Sequence, residues 1–207
     1  MVGGCGCNNK SFDGVSEAYK RILWIVISLN AAMFVVEMVA GIKAQSQALQ
    51  ADALDFFGDA ITYGLSLAVI GQSLHLRAKV ALFKGISLLM MGIWVFASTV
   101  YRVFYLGVPV AETMGMIGLL ALLANLASVL LLVRYKDGDA NVRSVWLCSR
   151  NDAIGNIAVM LAALGVWGTA TGWPDLIVAG LMASLFLSSA IQIIIQARAE
   201  MKQSEFA

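Results

Sequence analysis

The chain has 207 residues, 60% of them hydrophobic and 13% charged, with a formal net charge of +1. Soluble domains run nearer about 45–50% apolar and about 25% charged, so this composition, with a mean hydropathy of +0.81, excludes a soluble globular protein and points to a membrane one. A charge so close to zero gives no footing for nucleic acid as a partner.

Residues 1–17 read as a flexible cytoplasmic arm. They lack the apolar core of a cleaved signal peptide, so the first span stays in the mature protein. Cys5 and Cys7 stand too close in sequence for an ordinary structural disulfide, and the third cysteine, Cys148, lies inside an apolar run, so no disulfide scaffold is expected. Two thiols on a flexible arm make at most half of a site for a soft metal ion.

Apolar runs then follow at about 22–43, 47–73, 78–104, 111–134, 143–170 and 174–197, each long enough to cross about 30 Å of hydrocarbon. Turn chemistry separates them, as in "YKDGDAN" and "GTATGWP". No strand-like alternation occurs, which favours helices over a barrel. The expected fold is therefore an all-α integral membrane protein, a six-transmembrane-helix bundle that occupies 18–200 and leaves 201–207 as a short cytoplasmic tail. Lysines and arginines gather before the first span, after the second, around the fourth loop and at the end of the chain. The other side holds little more than Lys43 and Arg102. The positive-inside rule then makes both termini cytoplasmic. Trp24, Trp146, Trp167 and Trp173 fall near span ends, as interfacial tryptophans do.

The second span contains Asp52, Asp55 and Asp59. A carboxylate at the bilayer centre costs roughly 2.5–3.5 kcal/mol on insertion scales, so each calls for a reason. Asp55 and Asp59 are spaced i, i+4, about 40° apart around a helix and about 6 Å along it, and so share a face. The fifth span repeats the arrangement with Cys148 and Asp152, and Asn156 continues the row. Two helices that each offer such a pair can place four ligands, Asp55, Asp59, Cys148 and Asp152, around one point, the tetrahedral number that zinc and similar ions prefer. The plain alternative is structural ion pairing, with Lys84, Arg150 and Arg102 as partners. Cys148 alone would equally serve as a small buried apolar group. Asp52 reads as interfacial, with a role at the mouth of the site as the alternative. Glu37 and Asn30 in the first span read as hydrogen-bonding across helices, and Glu37 could also relay protons. His75 reads as a solvated loop residue, and the ten methionines as packing.

These residues resemble the transmembrane domain of the cation diffusion facilitator family of divalent-metal/proton antiporters. The family's second-helix pattern stands here as Ser46, "QALQ", Ala51-Asp52-Ala53, then Asp55 and Asp59. Its fifth-helix pattern is similar to "NVRSVWLCSRND", where Asn141, Arg143 and Asp152 match and Cys148 takes the usual histidine's place. The sixth helix opens "WPDLIVAGLMAS", similar to the family's Asp-Pro-containing start; the third, "HLRAKVALFKG", matches more loosely because Lys79 replaces an acidic residue. The resemblance implies a multi-pass protein of the bacterial inner membrane, not an enzyme and with no resident cofactor. It would export a divalent cation of the zinc, cadmium or cobalt type in exchange for protons, through a midplane site on the second and fifth helices. Its partners are the metal ion, protons, the bilayer and a second copy packed through transmembrane helices, with no nucleic acid. About ten residues follow the last span, so a shorter branch without the family's C-terminal cytoplasmic domain is expected. A thiolate at Cys148 favours softer ions over manganese or magnesium. The alternative function is a non-transporting membrane protein that binds or senses metal at the same residues.

Overall fold

The structure is a computed structural model that describes residues 16–68, 74–105, 107–137 and 140–205. Cys5 and Cys7, with the rest of the arm up to residue 15, lie outside the described residues. Six long helices carry the fold: α1 (Glu17–Ala44), α2 (Gln47–Ala68), α3 (Leu74–Phe104), α4 (Ala111–Leu132), α5 (Ala140–Thr169) and α6 (Trp173–Glu205). A short 3-10 turn at Val133–Tyr135 extends α4, and no strand occurs among the described residues. The expected all-α bundle is what forms. α6 runs straight through position 201 into the segment expected to be a tail.

Local chemistry sets the helix ends. Ser16 caps α1, its hydroxyl accepting the amide hydrogen of Tyr19 at 3.3 Å. Gln45 ends α1 in the left-handed region (φ 55°), and its N–H returns to the carbonyls of Gly41 and Ile42. Ser46 then caps α2 by accepting the Leu49 amide at 3.0 Å, so α1 turns into α2 within two residues.

Five of the helices are long and apolar enough to cross a membrane, and α2 is the exception. Its 22 residues would span about 33 Å, but three aspartates make it too polar to face lipid. Packing resolves this, because α2 touches every other long helix. The large side chains turned outward on the remaining helices, among them Trp94, Leu130, Trp167 and Ile195, are the apolar coat a bilayer covers.

The helices form two groups. α1 packs mainly on α2, α4 on α5, and α1 also on α4, making a four-helix unit. α3 lies along α6, and this pair meets the unit mainly through α2 and α5. Glycines allow the α3–α6 approach. A Cβ at Gly85 would stand 2.8 Å from Ile194 Cγ1, and one at Gly92, two turns on, 3.0 Å from Leu187 Cδ2. In a membrane, where burying apolar surface gives no drive, such close backbone contact is what holds helices together. Gly85→Leu should therefore wedge the pair apart and cost about 1–3 kcal/mol. Thermal unfolding of the variant in detergent, against wild type and Ile86→Leu, checks this.

The two ends of the bundle differ. At one end the start of α1, the end of α2, the end of α4 and the start of α5 meet in a cluster of Tyr19, Leu23, Tyr63, Leu132 and Val145. At the other end the connecting segments are tied to each other: the Val110 amide donates to the Ala44 carbonyl at 3.0 Å. Beneath that tie lies a close-packed core that includes Leu49, Met114, Val159, Val166 and Phe186.

Candidate functional site

Asp55 and Asp59 on α2 and Cys148 and Asp152 on α5 line one cavity of about 450 Å³. Each helix presents its i, i+4 pair on the face turned toward its neighbour, as the spacing requires. α3 and α6 close the other walls with Lys84, Met91, Met182 and Phe186. All four predicted residues are half-buried, as residues facing an internal cavity are. The lining runs from the middle of α2 toward its C-terminus and along the N-terminal half of α5 to its middle, with Met182 and Phe186 of α6 at its inner edge. The cavity therefore extends from the middle of the bundle toward the end where α1 starts and α6 ends, and its inner edge borders the close-packed core.

The carboxyls are engaged with one another. Asp55 and Asp59 each lie within hydrogen-bonding reach of Asp152 across the α2–α5 interface. Among the described residues, no three His, Cys, Asp or Glu side chains are drawn close enough to hold a metal ion as they stand.

Tyr63, one turn beyond Asp59, is fully buried and its hydroxyl donates to Asp59 Oδ2. Sequence reasoning did not single it out, although it continues the 55–59 row by another four residues. Lys84 donates from Nζ to Ser66 Oγ at 3.0 Å, with Asp59 and Cys148 as the ionisable groups in its electrostatic range. Among the described residues none of the buried aspartates pairs with a lysine or arginine within 4.0 Å. Arg150 points away, donating to Asn151 Oδ1 at 3.2 Å and stacking over Trp146. The ion-pair explanation of these carboxylates therefore lacks its partners.

Three expectations need correction. Asp52 is not interfacial: it is 1% exposed and accepts a hydrogen bond from the Asn156 amide at 2.6 Å. It stands three residues before Asp55, about 60° from it around the helix, and its carboxyl is turned to Asn156 of α5 inside the four-helix unit. Asn156 accordingly does not continue the row into the cavity. It is buried, and its Oδ1 accepts from the Asn125 amide of α4 at 2.9 Å. Asn151 lines the cavity instead. Asn30 does not bond across helices, since its amide donates to the Val26 carbonyl on its own helix at 2.8 Å. Glu37 does reach across to Asp52. It is fully buried, and neither of its oxygens receives a hydrogen bond from an N–H or hydroxyl donor. Of the adjacent methionines, Met91 lines the cavity while Met90 faces outward.

At the opposite end Asp175, in the first turn of α6, reaches the start of α2. It accepts from the Ser46 hydroxyl at 2.5 Å, the Gln47 amide at 2.7 Å and the Ala48 amide at 3.1 Å. These are the orphan donors of a helix N-terminus, which a carboxylate satisfies well. The sequence shows "WPD" at a helix start but not that its aspartate serves another helix.

A family model described as the cation efflux transmembrane domain matches residues 23–201. Among curated proteins, the chain is 25% identical over 177 residues to the metal cation efflux system protein CzcD of Cupriavidus metallidurans, covering 79% of this chain and 55% of that protein. It is 23% identical over 194 residues to a cadmium, cobalt and zinc/H(+)-K(+) antiporter of Bacillus subtilis, covering 85% of this chain and 61% of that one. The chain thus matches little more than half the length of these relatives.

Proposed function

The chain belongs to the cation diffusion facilitator family, a family of multi-pass membrane cation-efflux proteins rather than enzymes, and on that premise we propose that it exports a divalent cation of the zinc, cadmium or cobalt type across the bacterial inner membrane in exchange for protons. One observation carries the reading: Asp55, Asp59, Cys148 and Asp152, from two helices, line a single cavity inside a membrane bundle. Three carboxylates and a thiol form a donor set that a borderline or soft dication satisfies. The relatives' names point to the same class of ion.

The mechanism follows from competition. Metal ligands must be deprotonated, so an arriving ion displaces protons from the carboxyls that now hold one another. The cavity extends from the middle of the bundle toward the end that the positive-inside rule makes cytoplasmic, so loading occurs from that side. The α3–α6 pair then rocks against the four-helix unit, the cavity closes below, and the tied end opens. Protons from outside take back the oxygens, and the ion leaves.

Zinc flux in proteoliposomes, with and without an imposed pH gradient and with lumenal pH recorded, tests this. Opposed zinc and proton movement is the expected result. Zinc binding without movement of either ion would leave a metal-binding or sensing protein in its place. Cys148 bears on ion choice: Cys148→Ser should weaken cadmium binding relative to zinc by about tenfold, roughly 1.4 kcal/mol, because a hydroxyl is a harder donor than a thiolate. Competition titrations of the two metals check it.

A further inference from the structure

Lys84 is the feature of the cavity that metal coordination does not explain. An ammonium is a poor neighbour for a bound dication, yet this one lines the same cavity as the four candidate ligands. Among the described residues it forms no ion pair within 4.0 Å. Its Nζ is instead held by the Ser66 hydroxyl of α2 at 3.0 Å, two turns beyond Asp59, with Asp59 and Cys148 as its ionisable neighbours. α3 is also one of the two helices outside the four-helix unit, so Lys84 and the ligands stand on opposite sides of the surface across which the groups move. The other residues facing the cavity from α3 and α6, among them Ser87, Met91, Met182 and Ser189, carry no charge.

Resting on the transport reading above, we infer that Lys84 is a tethered internal cation that weakens metal binding so that the ion can be released. Without metal, the ammonium offsets the charge of the carboxyls around it. With metal bound, it repels the ion, and a dication feels that repulsion twice as strongly as a monovalent cation does. A cage of three carboxylates and a thiolate risks holding zinc too tightly for turnover, and a fixed positive charge in the wall corrects this.

The test uses the full chain in lipid nanodiscs, with zinc titrated calorimetrically at pH 7, and flux measured in proteoliposomes. Lys84→Met and Lys84→Gln, which both remove the charge while Gln keeps a donor for Ser66, should each bind zinc about tenfold more tightly or better. Both should turn over more slowly at saturating zinc. Lys84→Arg should behave as wild type. A structural role for the lysine predicts weaker binding on its removal, never tighter. Met and Gln variants that bind zinc no more tightly than wild type overturn the inference while leaving the site intact. Wild-type protein that binds zinc no better than Asp59→Asn overturns the transport reading, and the inference with it.

Discussion

Asp59→Asn should reduce zinc transport in proteoliposomes by at least about 100-fold while the protein still inserts and folds. The carboxylate meets Tyr63 on its own helix and Asp152 on α5, so the variant removes an anionic donor from the point where the two helices face each other. A 100-fold loss corresponds to about 2.8 kcal/mol of ion binding, since every 1.4 kcal/mol is tenfold in affinity. An amide of the same shape keeps the cavity filled and the Tyr63 bond available, so the fold is spared. Asp55→Asn should behave alike. Glu112→Gln, at the first turn of α4, is the control that removes a carboxylate elsewhere and should transport normally. Zinc flux retained by both α2 variants would show that the cavity is not the route.

Asp175→Ala should lower the stability of the bundle by about 3 kcal/mol without altering the zinc affinity of the cavity. The side chain ties α6 to the start of α2 through one hydroxyl and two amides, all buried. Hydrogen bonds to a charged group contribute about 1.5–3 kcal/mol each, and the donors left behind pay for their own desolvation. Ser46 remains as an N-cap, which limits the loss. Asp175→Asn, which keeps one acceptor, should fall between the two. Unfolding midpoints of the three proteins, with zinc titrations alongside, decide it. A midpoint unchanged in the alanine variant would mean that the tie contributes nothing to holding that end closed. If the tie is also the outer gate of the transport cycle, the alanine variant should leak zinc without a pH gradient, which the same proteoliposome assay detects.

The six helices were legible because a bilayer imposes a crude requirement. A run of about 20 apolar residues reads the same whatever surrounds it, and the observed helices begin and end within a few residues of the expected runs at most ends. The exceptions lie at the ends of the bundle. α1, α3 and α6 extend into segments whose polarity says only that they leave the hydrocarbon, not that the helix stops. The pairing of Asp55 with Asp59 and of Cys148 with Asp152 was equally legible, since i, i+4 spacing fixes a shared face on any α-helix. That both faces line one cavity is a different kind of fact. It depends on how α2 and α5 are rotated against each other, which no local spacing encodes.

The remainder turned on rotation and proximity. Asp52 and Asp55 are close in sequence, alike in chemistry and only about 60° apart around the helix, yet one meets Asn156 inside the four-helix unit and the other lines the cavity. Asn156 leaves the Cys148–Asp152 row because Asn125 and Asp52 together satisfy its amide. Lys84 and Asp175 are single charges in apolar surroundings, and the chain alone shows only that each needs a partner. The partners, Ser66 for one and the first amides of α2 for the other, lie 18 and more than 120 residues away. Sequence by itself determined the membrane class, the helix count and the four candidate ligands, because hydrophobicity and helical period act over a few turns. Tertiary structure decided which polar groups meet, because the neighbour that satisfies a buried charge is chosen by packing between helices.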